Sequence, residues 1–313
     1  MDREPPPDSP AASFPQIEID SWDAFRRHME DEAYRGWAFR GQADARLPLY
    51  TSLGRNFRER GIRPEAWPLL EERILRIFRR KSHHFLESVP DADDAFEWLA
   101  LMQHHGAPTR LLDFTWSPYV AAFFALEGAI RDAVVWAVSP PRLAESVRRF
   151  LRDHTDDVPE DPGPWVPGNY EKLFLPNRHP IVVIGEPYRM NRRLIAQSGT
   201  FVVPGLLDRP LEQIVSGSGE GAPLVQFVLR TEKIRQEAIR SLYQMNLTYA
   251  TLFPDLDGLA RSMAWELEIH WAFDPTSMEP FPGYRLDRRG NIVAPEATDA
   301  NDAGGSSDGD CSG

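Results

Sequence analysis

QHHGAPTRLLDFTWSPYVAAFFAL, residues 103–126, joins a cluster of polar side chains to an almost unbroken apolar run. Within it, Ser117 and Pro118 form a typical helix start, because serine caps the first turn and proline fits the first helical position. The residues that follow leave no polar face. We therefore predict a helix over 118–130 that is buried on nearly every side, Phe124 included.

The residues before this helix predict a strand and a second helix. TRLLDF, at 109–114, is typical of a short strand. The segment 91–106 begins with acidic residues and ends in His104, His105 and Gly106, which are helix start and stop signals. A helix, a strand and a buried helix are thus predicted in immediate succession.

Helical and strand-like patterns alternate irregularly along the rest of the chain. Further strands are predicted at 36–42, 133–139, 179–186, 199–204 and 223–230, and further helices at 66–89, 231–246 and 252–271. In the first of these helices, the apolar spacing predicts a buried face made of Leu70, Ile74, Ile77, Phe78 and Phe85. The strands are too scattered for a regular doubly wound sheet, so we predict a mixed α+β fold.

The net charge of −12 is carried mainly by the two ends of the chain. Residues 1–20 contribute −4 and residues 294–313 contribute −5, which leaves −3 for the remainder. A nearly neutral core argues against a surface that binds duplex nucleic acid along its whole length. It leaves room for a local groove lined by arginine.

Composition also predicts the domain organisation and the compartment. We expect a disordered leader at 1–15, a single globular domain at 16–289 and a disordered acidic tail at 290–313. No apolar run approaches the roughly 18 residues that a membrane span needs, and the acidic, proline-rich start is not a secretory signal. With Cys311 as the single cysteine, a disulfide framework is excluded. A cytoplasmic protein without a membrane partner is predicted.

Arg40 is the first candidate for a binding role. It follows strand-like residues in WAFRGQ, where a charge is costly unless it is paired or bound to an anion. Gly41 would let a ligand approach the backbone. Two interpretations stay open, namely an arginine that faces a phosphate or ribose, and a structural salt bridge to an acid.

The polar residues of the 103–126 segment form a second group. Adjacent histidines point in different directions on a helix and no HExxH motif occurs, so no metal site is expected. Arg110 and Asp113 face opposite sides of a strand, so each needs a partner elsewhere, with Arg40 a candidate for Asp113. Thr115 and Ser117 precede a helix N-terminus, where they can cap the helix or hold a phosphate.

Other stretches carry weaker signals. Gln197 lies at the mouth of a predicted strand, and Glu266 and Glu268 read as surface acids that diverge on a helix. G-x-S-x-G, P-loop and G-x-G-x-x-G motifs do not occur, so common hydrolase, nucleotide-triphosphatase and Rossmann functions have no support.

Taken together, four stretches resemble one family. They are FRGQ at 39–42, QHHGAPTRLLDFTWSPYVAAFFA at 103–125, AQSGTFVV at 196–203 and LFPDLDGLA at 252–260. Over roughly residues 18–275 the chain resembles the FRG domain family of bacterial proteins, which is named for its Phe-Arg-Gly motif.

A more distant resemblance points to ADP-ribosyltransferases that use an aromatic-Arg-Gly first strand. Those proteins continue with a Ser/Thr-rich strand that leads into an Ala-x-x-Phe-Ala helix, as Thr115-Trp116-Ser117 and Ala121-Phe124-Ala125 do here. The resemblance implies a split central sheet with flanking helices and NAD as substrate. By this resemblance Arg40 would hold an NAD phosphate or ribose, and Thr115 and Ser117 would support the nicotinamide ribose. The strand and the buried helix would form the floor of a cleft, with a rim made of Arg40, His105, Arg110, Asp113 and Thr115. We therefore expect binding by Arg40, Gly41, Gln42, Arg110, Asp113, Thr115 and Ser117, and catalysis by Arg40, His105, Thr115 and Gln197.

One departure bears on the expected chemistry. Where those transferases have a glutamate on a later strand, this chain has Gln197, which can hydrogen-bond a ribose but cannot act as a base. We expect an NAD-dependent ADP-ribosyltransferase or NAD glycohydrolase that serves as a toxin or anti-phage effector. Its partners would be a protein or RNA target and an inhibitor or antitoxin protein. The alternatives are a nucleic-acid-binding or nuclease effector and a non-catalytic nucleotide sensor.

Overall fold

The computed structural model describes residues 14–155, 158–216 and 223–268, together with short pieces between 277 and 293. The predicted leader lies outside the described residues except for Phe14 and Pro15. The predicted tail lies outside them except for Ile292 and Val293.

A seven-stranded sheet forms the centre of the described chain. In chain order its strands are β1 (Gln16–Ile19), β2 (Ala38–Gln42), β3 (Leu112–Thr115), β4 (Ala133–Val138), β5 (Val182–Gly185), β6 (Gly199–Pro204) and β7 (Leu224–Leu229). In space they follow the order β1-β7-β4-β2-β3-β6-β5, with β1 and β7 parallel and the other neighbours antiparallel. A separate pair joins Arg285–Leu286 to Ile292–Val293.

Eleven α-helices accompany these strands in the described residues. They are α1 (Trp22–Met29), α2 (Ser52–Glu59), α3 (Trp67–Ser82), α4 (Ala95–His104), α5 (Pro118–Leu126), α6 (Pro140–His154), α7 (Arg192–Ala196), α8 (Leu211–Val215), α9 (Thr231–Gln244), α10 (Tyr249–Leu252) and α11 (Leu256–Glu268). Helices and a mixed sheet together confirm the predicted α+β class. None of the described helices combines the length and the apolarity needed to cross a membrane.

The sheet is joined most weakly at its middle. β2 pairs with β4 along its whole length from Ala38 to Gln42, and β3 pairs with β6 along its whole length. Between β2 and β3 the register contains a single pair, Phe39 opposite Thr115. The two strands therefore diverge beyond that pair, and the sheet opens there.

Helix α5 packs directly on β2 and is buried as predicted. Ser117 caps it, with its Oγ accepting a hydrogen bond from the Val120 amide at 3.3 Å. Phe123 is fully buried, whereas Phe124 is only partly buried, contrary to the prediction for that residue. The helix ends at Leu126, four residues before the predicted end.

The predicted buried face of helix α3 is confirmed in part, because Leu70, Ile74 and Phe78 are partly buried and pack against the core, whereas Ile77 is exposed. The residues that this helix buries are Trp67, Glu71, Leu75 and Ser82, while Phe85 lies beyond the helix end and is 84% exposed. Glu71 is a buried charge on this face, and a pattern built from apolar residues alone does not include it.

Candidate ligand-binding cleft

A cleft of about 280 Å³ lies where β2 and β3 diverge. It is lined by Phe39, Arg40, Gly41, Gln42, Ala43, Asp113, Phe114, Thr115, Phe124, Arg193 and Gln197. An extension of about 50 Å³ shares Asp113, Arg193 and Gln197 with the cleft and reaches His104. Residues that are distant in sequence thus meet around one space. The volume of the cleft is close to the lower end of the range for small-molecule sites.

Arg40 brings a positive charge to the cleft without a carboxylate partner. Its Nη1 donates to the backbone oxygen of Asp113 at 2.6 Å, and its Nε is buried without a hydrogen-bond partner. Burial lowers the pKa of the Arg40 guanidinium, and the nearby Arg55 lowers it further, while Asp113 acts in the opposite direction. Within the described chain Arg40 has no ion pair, so the structural salt bridge considered above does not form there.

Gly41 is required by packing. A Cβ added to it would lie 1.9 Å from the backbone oxygen of Ala121 and 2.6 Å from the Ala125 amide, both in α5. The glycine therefore lets β2 approach the helix backbone closely, which differs from the predicted role of admitting a ligand. Next to it, Gln42 donates from Nε2 to the Leu47 oxygen at 2.8 Å.

Asp113 lines the cleft, and hydrogen bonds hold its carboxylate in place. Its Oδ2 accepts from Gln103 Nε2 at 2.8 Å, and Gln103 Oε1 accepts from the Thr109 hydroxyl at 2.6 Å. Thr109 is fully buried, and its hydroxyl also accepts from the Leu111 amide at 3.0 Å. The predicted partnership with Arg40 runs through the backbone oxygen of Asp113 rather than through an ion pair.

A hydrogen bond between Thr115 and Gln197 connects the two sides of the cleft. The Thr115 hydroxyl donates to the Gln197 backbone oxygen at 2.6 Å and accepts from the Ser117 amide at 3.0 Å. Gln197 donates from Nε2 to the Leu252 oxygen at 3.0 Å. Ser117 acts as a helix cap and is not among the residues that line the cleft.

Besides Ser117, two of the predicted site residues lie outside the cleft. Arg110 is fully buried, donates to both carboxylate oxygens of Glu71 and to the Pro204 oxygen, and does not reach the cleft. His105 is exposed at the end of α4, with its ring against that of His104, and does not line the cleft or its extension. The buried pairing of Arg110 and the exposure of His105 correct the predicted rim.

Arg193 and His104 are site residues that sequence reasoning missed. The Arg193 guanidinium lies 4.5 Å from the centre of the Phe253 ring and has no ion pair in the described residues. Burial lowers the pKa of His104, helped by His105 and Arg193 and opposed by Asp255. A signal for Arg193 existed, because it stands four residues before Gln197 in the NRRLIAQ stretch, at helical spacing.

The remaining candidate acids, Glu266 and Glu268, lie on α11. Glu266 accepts from the Tyr243 hydroxyl on an exposed surface, and the Glu268 side chain lies outside the described residues. In the described chain, no group of three or more His, Cys, Asp or Glu side chains could hold a metal ion. Asp113 is the one carboxylate among the described residues that line the cleft.

The fold and the cleft together define a class of protein. It is a mixed α+β protein with an arginine-lined cleft at an opening in its central sheet, an arrangement that suits a phosphate-bearing ligand.

Residues 35–133 match the FRG domain family model. Arg40, Asp113 and Thr115 lie within the matched residues, whereas Arg193 and Gln197 lie after them. Comparisons with curated proteins and with solved structures found no match.

Proposed function

We propose that the cleft between β2 and β3 binds NAD and that the protein is an ADP-ribosyltransferase-like enzyme. The observation that carries this proposal is Arg40, a partly buried arginine at the cleft with an unsatisfied Nε and no ion pair in the described residues. A buried cation is costly without a counter-charge, and a bound phosphate supplies one. The planar guanidinium also matches phosphate oxygens in geometry.

Arg193 strengthens the case for a diphosphate. It enters the same cleft from α7 and is held over the Phe253 ring, so the cleft offers two guanidinium groups from separate elements. NAD carries two linked phosphates, and two cations can each take one of them. The partly buried Phe124 adds an aromatic wall on which a flat ring can pack.

The chemistry of NAD cleavage suits a site of this kind. When nicotinamide leaves, positive charge develops on the ribose, so the reaction needs an oriented ribose and fixed negative potential more than a strong nucleophile. Arg40 and Arg193 would fix the diphosphate, and the Thr115–Gln197 link would fix the spacing of the cleft walls.

The target of the reaction would be a macromolecule. We propose a protein or RNA acceptor and an effector role of the toxin or anti-phage kind, exercised in the cytoplasm, where NAD is abundant. An inhibitor or antitoxin protein would then be the natural partner in the cell that makes the enzyme.

Labelled NAD tests the proposal directly. Purified protein is incubated with NAD labelled in the adenosine half, in the presence of cell protein or RNA, and both released nicotinamide and label transfer are measured. We expect release in the wild type and a loss of about tenfold or more in Arg40→Lys, since lysine keeps the charge but loses the forked donor set. Arg35→Lys, at an exposed position, is the matched control.

The two alternatives give different results in the same assay. A nuclease built on His105, Arg110 and Asp113 has no support in the geometry, because Arg110 is buried against Glu71 and His105 faces away from the cleft lining. RNA cleavage without NAD would favour it nevertheless. A nucleotide sensor is favoured by the engagement of Gln197 with Leu252, and tight NAD binding without nicotinamide release would identify it.

A further inference from the structure

We propose that Asp113 is the catalytic carboxylate of this cleft, and that Gln103 and Thr109 position it. This inference rests on the proposed function and assigns the group that faces the developing positive charge. Asp113 lines both the cleft and its extension, and it is the single carboxylate that does so among the described residues. Gln197, which the resemblance places in the acidic role, has no charge and donates its amide to Leu252.

Three hydrogen bonds connect the Leu111 amide to Asp113 through Thr109 and Gln103, and each has a defined donor and acceptor. The Leu111 amide can only donate, so the Thr109 hydroxyl accepts from it and turns its own hydrogen toward Gln103 Oε1. That contact fixes the orientation of the Gln103 amide, whose Nε2 then donates to Asp113 Oδ2. The carboxylate of the exposed Asp113 is oriented by the partly buried Gln103 and, through it, by the buried Thr109, while its other oxygen, Oδ1, makes no such contact with Gln103.

The phosphate-binding arginine is attached to the same residue. Arg40 donates to the Asp113 backbone oxygen at 2.6 Å, so the cation and the carboxylate are linked across the open part of the sheet. A diphosphate held by Arg40 would therefore place the attached ribose at a fixed distance from Asp113. The other charged or titratable groups that line this space are Arg193 and His104.

The other acids near this part of the sheet are already engaged. Glu71 is buried against Arg110, Glu186 accepts from the Trp116 indole, and Glu212 accepts from the Leu49 amide. None of the three lines the cleft. Asp255, which acts on the pKa of His104, accepts from the Gly258 amide and does not line the cleft or its extension either. Asp113 is therefore the one carboxylate among the described lining residues that can act at the reacting ribose.

The proposed reaction breaks one bond at ribose C1′ and forms another. The bond between ribose C1′ and the nicotinamide nitrogen breaks, and its electron pair leaves with neutral nicotinamide. The Asp113 carboxylate stabilises the resulting ribosyl cation electrostatically. An acceptor hydroxyl, or water, then forms a bond to C1′, and its proton passes to Asp113 and on to solvent. NAD and the acceptor thus give nicotinamide, the ADP-ribosylated acceptor and one proton.

Asp113→Asn separates binding from chemistry. Asparagine keeps the shape and an oxygen that accepts from Gln103, so the fold should be retained. For wild type and variant we would measure the Kd for NAD by calorimetry and nicotinamide release in a single turnover. We expect a Kd no weaker than that of the wild type and a release rate lower by about a hundredfold. Asp153→Asn, exposed on α6, is the matched control and should change neither quantity.

Gln103→Leu tests positioning. It removes the donor to Asp113, so the single-turnover rate constant for nicotinamide release should fall while the Kd for NAD stays the same. A smaller folded fraction would lower the amplitude of that release and leave its rate constant unchanged. Gln213→Leu, exposed on α8, is the control.

If Asp113→Asn released nicotinamide at the wild-type rate, the inference would be overturned and NAD cleavage by this protein would stand. A wild type that binds NAD without releasing nicotinamide would overturn it too. A wild type that does not bind NAD would overturn the proposed function itself.

Discussion

Arg40 and Arg110 show how differently two arginines of one domain are used. Arg110 has no exposed surface, and its guanidinium is occupied by Glu71 and the Pro204 oxygen. Arg40 keeps a buried Nε without a partner and lies at a cleft. The first arginine therefore stabilises the fold, and the second has donors to spare for a ligand.

The buried pair predicts a characteristic pattern of stabilities. Arg110→Met leaves Glu71 buried without a counter-charge and should lower the free energy of unfolding by about 3–5 kcal/mol. The double variant Arg110→Met with Glu71→Leu removes both charges and should regain most of that loss. Urea unfolding measures the three proteins. A double variant as unstable as the single one would show that the pair is not the cause.

The lowered pKa of His104 predicts how stability depends on pH. Its folded pKa lies below the unfolded value, mainly because of burial, so the unfolded chain binds the proton more readily. The stability due to neutral His104 is therefore complete above the unfolded pKa of about 6.5, and it is lost as the pH falls through that value toward the folded pKa. When the pH is lowered from about 7.5 to about 5, we expect the Tm of His104→Gln to fall less than the Tm of the wild type. Equal drops would contradict this.

At the residue scale, sequence motifs identified side chains that lie at the cleft but not the distant residues that they contact. Arg40, Asp113, Thr115 and Gln197 were predicted as site residues, and all four line the cleft. Arg110 was wrongly predicted to lie at the site. Its partner, Glu71, lies 39 positions earlier in a helix, and no local pattern shows a buried ion pair formed across that distance.

At the scale of elements, the contact between β2 and α5 sets the position of the cleft wall. The backbone of β2 lies so close to α5 that residue 41 must be glycine. Gly41→Ala would place a methyl group against helix backbone that cannot move aside, so we expect a loss of about 3 kcal/mol or more. Gly128→Ala, where the space around a new Cβ is open, should be nearly neutral. Chemical unfolding of both variants is the measurement, and comparable stabilities would contradict the packing described for β2.

Helix α5 predicts opposite effects for two neighbouring phenylalanines. Phe123 is fully buried, and Phe123→Ala should cost about 3–5 kcal/mol through the cavity it leaves. Phe124 is partly buried and lines the cleft, so Phe124→Ala should cost less stability and weaken NAD binding. Thermal unfolding and NAD titration of the pair test this. Loss of binding only in Phe123→Ala would place the cleft elsewhere.

Many individual elements were predicted from the sequence, but β1, α1, α2 and α6 were not, and neither was the arrangement of the strands. The helix start at Ser117–Pro118 and the strand core of each predicted run follow from local signals. The single pair between β2 and β3 depends on which strands become neighbours, and those strands are separated in sequence by three helices. The opening of the sheet is thus a property of topology, although the resemblance to ADP-ribosyltransferases implied it.

At the scale of the whole molecule, the cleft joins three distant parts of the chain. β2, β3 and α7 contribute Arg40, Asp113 and Arg193 to one space, and α5 forms a wall of it. The net charge of −12 says nothing of this, because most of the net negative charge lies at the two ends of the sequence. A local cluster of two arginines can attract an anion in a protein that is acidic overall.

The central claim is that this cleft binds NAD through Arg40, and calorimetric titration of NAD tests it most directly. We predict one binding site in the wild type, an affinity about tenfold or more weaker in Arg40→Lys and weaker also in Arg193→Gln, with melting temperatures close to the wild type. Arg192→Gln, exposed on the same helix as Arg193, should bind as the wild type does. Equal NAD affinity in the wild type and Arg40→Lys, or no binding in the wild type, would contradict the claim.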